Sequence, residues 1–105
     1  MEVIEITDQE LDAQLAAHPK AIIKYYADWC GACKLFNPKF KRLANDERFS
    51  DVVFLNVNAE NNPEARGKAG VSNLPSFAIV EGGQFKETIF TSKEEIVVEL
   101  LGKLN

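Results

Sequence analysis

The chain has 105 residues, with 12 Lys and Arg against 16 Asp and Glu and a formal net charge of −4. That length suits a single domain over residues 1–105, large enough for a hydrophobic core without covalent staples. The acidic balance, with no basic block, argues against a nucleic-acid partner, and no apolar run is long enough to span a bilayer.

The opening segment, "MEVIEITDQELD", is acidic and amphipathic rather than basic and then apolar. It does not read as an export signal, and a soluble, cytoplasmic chain is expected. Within it "EVIEI" alternates as a short strand does, and Thr7 or Asp8 can cap a helix over "QELDAQLAA" that stops before "HPK". His18 in that turn is assigned no role. "AIIKYYA" is β-branched and aromatic, which suits a central strand. "CGACKLFNPKFKRLANDE" follows, with Leu35, Phe36, Phe40 and Leu43 at helical spacing, and Pro38 is expected to kink that helix.

"DVVFLNVN" reads as a second central strand, and "ENNPEARGKAG" as a short helix with Pro63 in its first turn and Gly70 just past its end. "LPSFAIVEGGQFKETIF" holds two strand-like runs around Gly82 and Gly83, a pair that suits a two-residue hairpin. "SKEEIVVELLGKLN" closes the chain as an amphipathic helix with Ser92 as its expected cap. The order β-α-β-α-β-α-β-β-α implies an α/β fold. Its early strands lie parallel through right-handed crossovers and its last hairpin is antiparallel, giving a mixed central sheet flanked by helices on both faces.

Ligand chemistry in such sheets gathers at the C-terminal ends of strands, where helices begin. There the chain reads "KYYADWCGACK", with Cys30 and Cys33 its only cysteines. A structural disulfide, half of a metal site and a reversible redox couple are all open to such a pair. Zinc usually takes four ligands, and only His18 remains to join the two sulfurs. Cys30, at or just before the first helical turn, meets unpaired backbone N–H groups and the positive end of the helix dipole, which favour a thiolate. Cys33 lies one turn on along the same face and can close a small ring with it, which suits exchange better than stapling.

"WCGACK" after a strand, the proline at Pro38, "NLPSF" further on and the glycine hairpin, in this order, resemble the thioredoxin family over essentially the whole chain. The resemblance implies the thioredoxin fold and a thiol-disulfide oxidoreductase that reduces protein disulfides through Cys30, which attacks, and Cys33, which resolves. It implies a redox-active Cys30–Cys33 disulfide with no bound cofactor or metal. It also makes Pro75 a cis proline facing the pair, with Leu74 offering its backbone to a substrate strand. Trp29 then belongs to the apolar platform that receives substrate, although its size also suits a core. Gly31 and Ala32 complete the motif, and Lys34 either adds positive potential beside the sulfurs or lies on a solvated helix face. The implied partners are disulfide-containing proteins and a flavoprotein thioredoxin reductase that takes electrons from NADPH, with the chain itself a monomer.

Four positions depart from the family pattern. Ala32 stands where the general reductases carry proline, which points to a more oxidising couple and an oxidase- or isomerase-like alternative. Thr91 stands where the family places a glycine of the substrate groove. Lys24, six positions before Cys30, replaces an inward acidic residue thought to exchange protons with the pair. The family's lysine partner for that carboxylate falls on Phe54. Lys24 either sits beneath the cysteines, as a cation or as a base, or carries its ammonium out to water along its stem. A fold used only as a binding clamp is the alternative from outside enzymology.

Overall fold

The computed structural model describes residues 2–104. Met1 and Asn105, the two ends of the domain read over 1–105, lie outside the described residues. The elements are β1 (Val3–Glu5), α1 (Asp8–Ala17), β2 (Lys20–Tyr26), α2 (Gly31–Ala44), a 3-10 turn (Glu47–Phe49), β3 (Val53–Asn58), α3 (Pro63–Ala69), β4 (Ser76–Glu81), β5 (Gln84–Phe90) and α4 (Glu94–Leu101). They form one mixed sheet in the order β1-β3-β2-β4-β5. The first three strands run parallel, β4 is antiparallel to β2, and β5 is antiparallel to β4.

Alternation along the strands divides the core into two layers. Ile23, Tyr25, Leu55, Val57, Ala78 and Val80 pack with Leu11 and Leu15 of α1 and Ala65 of α3. Ile22, Phe54, Phe77 and Ile79 pack on the opposite face with Phe36 and Phe40 of α2 and Val97, Leu100 and Leu101 of α4. The second layer is aromatic at its centre, with Phe40 lying 5.1 Å from Phe54 and 5.8 Å from Phe77 between ring centroids. It is the layer directly under the helix that starts with the cysteines.

Local chemistry sets the ends of the elements. Thr7 is the N-cap of α1, and its backbone N–H donates to Glu10 Oε1 at 2.9 Å. Asp8 then reaches across to α3, accepting from Glu64 N at 3.1 Å and Ala65 N at 2.8 Å. One carboxylate therefore satisfies two orphan donors of a helix 56 residues away. Gly82 and Gly83 both have positive φ, 59° and 79°, as a two-residue hairpin turn requires.

Two expected boundaries move. The second helix stops at Ala44 rather than continuing through "NDE", because the Asp46 carboxylate accepts from Arg48 N at 2.9 Å and opens a separate 3-10 turn. Ser92 is not the cap of the last helix. The chain stays extended through Lys93, which takes the N-cap position without a side-chain bond, and Thr91 Oγ1 accepts from Lys93 N at 3.1 Å. Pro38 lies inside α2, which runs unbroken through it.

Candidate active site

Cys30 is the N-cap of α2, and Cys33 closes the first turn. The two are disulfide-bonded with their Cα atoms 5.3 Å apart, and Cys33 N donates to Cys30 Sγ at 3.2 Å. A backbone N–H aimed at a sulfur favours negative charge there once the bond opens. Cys30 is 5% exposed and Cys33 1%. Cys30 is thus more covered than its place at a helix start implies. Gly31, Ala32 and Lys34 are exposed beside the pair, and a Cβ added at Gly31 would meet no atom within 4 Å.

Trp29 belongs to the surface, not the core. It is 69% exposed, and its indole Nε1 donates to Glu60 Oε2 at 2.7 Å, which holds the ring in place from the loop after β3. The Leu74–Pro75 peptide bond is cis. Ser76 Oγ donates to Asn73 O at 2.5 Å, and Thr91 N donates to Pro75 O at 3.3 Å, so the proline loop is tied to the end of β5. Phe90, at that end, is a further exposed aromatic side chain.

Lys24 is 1% exposed, and its stem does not carry the ammonium to water. Its Nζ donates to Asn37 Oδ1 and lies 5.3 Å from the Phe40 ring centroid and 5.8 Å from that of Tyr26. Burial lowers its pKa to about 8, against the opposing pull of Glu5. Tyr26 OH donates to Glu5 Oε2 at 2.5 Å, and burial together with that bond holds the phenol well above its ordinary range. Phe54 is fully buried against Phe40, so an aromatic ring fills the place where the family pattern puts a second charge.

The fold thus brings Trp29, Cys30, Gly31, Ala32, Cys33 and Lys34 onto the start of α2 and places Lys24 under that helix. His18 is the C-cap of α1 and joins no site. Among the described residues no three His, Cys, Asp or Glu side chains group as metal ligands would. Sequence reading missed Asn37, Asn56, Glu5 and Glu60. Asn37 was within reach of it, standing one helical turn after Cys33, whereas Glu60 meets Trp29 only through the tertiary fold.

A thioredoxin family profile matches residues 2–101. The thioredoxin of Mycoplasma genitalium is 30% identical over 91 residues, covering 85% of this chain and 87% of that protein. Thioredoxin-T of Drosophila melanogaster is 35% identical over 97 residues, covering 90% of this chain but 60% of the longer fly protein. Among solved structures, a reduced Schistosoma mansoni thioredoxin pre-protein superposes with a TM-score of 0.90 at 26% identity, covering 100% of both chains. The chain belongs to the thioredoxin family, and with its cysteine pair at disulfide distance it is a thiol-disulfide oxidoreductase.

Proposed function

Taking that membership as the premise, we propose that the chain reduces protein disulfides, and that the two sulfurs divide the work. The observation that carries this reading is the closed Cys30–Cys33 bond at the first turn of α2, with Cys30 at the N-cap. In the reduced protein the Cys30 thiolate attacks one sulfur of a substrate disulfide and displaces the other as thiolate, forming a mixed disulfide. Cys33 then loses its proton and attacks Cys30 Sγ. The second substrate sulfur leaves, and the Cys30–Cys33 bond is restored. Two electrons have passed to the substrate, whose sulfurs take up two protons. A flavoprotein thioredoxin reductase using NADPH returns the pair to the dithiol.

Trp29, Leu74 and Pro75 form the platform on which the substrate chain lies. Gly31 and Ala32, small and exposed, add no bulky side chain beside the pair. A clamp role would leave the closed disulfide and the exposed Trp29 without a use. The more oxidising, isomerase-like alternative has one observation in its favour, the buried Lys24 cation, since positive charge stabilises thiolates. The reductase acts as a monomer in the cytoplasm.

The test is turnover. With NADPH and a thioredoxin reductase, the wild type reduces a disulfide-bonded model protein over many cycles. A Cys30→Ser, Cys33→Ser double variant leaves only the background rate. Equal rates for the two proteins would reject the reading.

A further inference from the structure

Lys24 has no part in the exchange steps above, yet groups that attract a cation surround it in its buried place. One donor of its ammonium is on Asn37 Oδ1, and the rings of Phe40 and Tyr26 lie within the range at which a cation is attracted to an aromatic face. Strand register pairs Lys24 with Asn56 and Asn56 with Glu5, so the three side chains stand side by side on the α2 face of β2, β3 and β1. Asn56 Oδ1 is buried and has no hydrogen-bond partner. An ammonium carries a full positive charge and no lone pair, so an oxygen acceptor binds it more strongly than it binds the neutral amine. The Asn37 amide oxygen, the Glu5 carboxylate and two ring faces therefore favour the charged form, and burial opposes it.

The same nitrogen reaches α2 one turn after the cysteines. Asn37 and Cys33 are four residues apart on α2 and so are stacked one turn apart. Side chains so stacked have Cβ atoms about 5–6 Å apart, so the nitrogen bonded to Asn37 lies one turn along α2 from Cys33. The titratable groups facing Lys24 are Glu5 from β1 and Tyr26 from β2, with Asp28 in the next loop acting on Tyr26; Cys30 and Cys33 stand at the start of α2. β3, β4 and α4 present Asn56, Phe54, Phe77 and Val97, which do not titrate. The other cations of α2 are Lys34, Lys41 and Arg42, all exposed, and Lys39, whose ammonium lies over the Phe36 ring.

We propose that Lys24 is a redox-linked cation, which stabilises the thiolate formed when the Cys30–Cys33 bond opens and takes up a proton with the electrons wherever it starts neutral. It acts on the sulfurs through space and is a positioning charge rather than a catalytic residue. This rests on the oxidoreductase reading above. When the amine is already charged, reduction adds two electrons and one proton to the pair, giving one thiol and one thiolate beside an ammonium. When the amine is neutral, the same two electrons bring a second proton, which goes to Nζ. Burial sets the start of that second regime near pH 8 in the disulfide form, and the new thiolate moves the amine's titration upward in the dithiol form.

The experiment equilibrates wild type, Lys24→Met and Glu5→Gln with glutathione from pH 6.5 to 9.5, with the titration of glutathione itself subtracted. Below pH 8 the wild type is expected to be reduced more readily than Lys24→Met, by tenfold or more in the equilibrium constant. Just above pH 8 that constant should fall an extra tenfold per pH unit in the wild type and not in Lys24→Met. Removing the Glu5 carboxylate, an exposed side chain whose loss leaves the core intact, should move the onset to lower pH. Parallel profiles for wild type and Lys24→Met, or an onset that Glu5→Gln leaves in place, would overturn the proposal while leaving the oxidoreductase standing. A protein that does not exchange with glutathione at all would overturn both.

Discussion

Replacing Lys24 by methionine should make the oxidised protein more stable at neutral pH. The folded chain lowers the Lys24 pKa from 10.5 to about 8, chiefly by burial. At about 1.4 kcal/mol per unit, holding the charge inside costs the fold about 3 kcal/mol below pH 8. Between pH 8 and 10.5 the unfolded chain keeps this proton and the folded chain gives it up, so wild-type stability rises with pH through that window. Methionine keeps the apolar stem and removes the charge. It also loses the attraction to the Phe40 and Tyr26 rings, about 1 kcal/mol, and frees Asn37, which is exposed and regains water. The net gain is about 2 kcal/mol, or a rise of roughly 10 °C in Tm for a domain of this size. Urea unfolding of both oxidised proteins at pH 7 and pH 10 checks this: the variant should lead by about 2 kcal/mol at pH 7 and by little at pH 10. A variant less stable at pH 7, or a gap that does not narrow by pH 10, would refute the argument. If the gain is found, the wild type gives up stability to keep a charge beneath its disulfide.

Asp8→Ala strips two hydrogen bonds from the N-terminus of α3 and should lower stability by about 1–2 kcal/mol in thermal melts at neutral pH, whereas removing an ordinary exposed carboxylate would not. Trp29→Ala should leave stability within about 0.5 kcal/mol, because the side chain is largely exposed. It should slow the reduction of a protein disulfide severalfold more than that of a small disulfide, as comparative kinetics would show. At the last helix, Thr91→Ala should cost about 0.5–1 kcal/mol and Ser92→Ala close to nothing, since Thr91 holds the Lys93 N–H. Denaturant melts of the pair measure the difference.

How far the sequence could be read follows from the range of the forces involved. The strands, the αL glycine after α3 and the hairpin glycines were legible because each is a local matter of side-chain alternation or backbone freedom. Cys30 and Cys33 were legible for the same reason, their four-residue segment being enough to place both sulfurs on one helical turn. Ser92 misled because capping propensity cannot say where an incoming strand releases the chain, and here β5 and Thr91 hold it extended for one residue more. The surroundings of Lys24 were illegible for a different reason. Its apolar neighbours in β2 placed it in a central strand, but Asn37, which accepts from it, and Asn56 and Glu5, which stand beside it, come from three other elements. Only register and helix packing bring them together, and that same packing decides that the ammonium is enclosed and does not reach water.

Catalysis begins with the sulfur that meets the substrate, and the proposed exchange gives that role to Cys30. Reduced Cys33→Ser protein, mixed with a disulfide-bonded protein and quenched with acid, should accumulate a covalent complex. Peptide mapping should place the link at Cys30, and Cys30→Ser under the same conditions should yield no comparable complex. A link formed through Cys33 in the Cys30→Ser protein, with none at Cys30 in its counterpart, would contradict the mechanism at its first step.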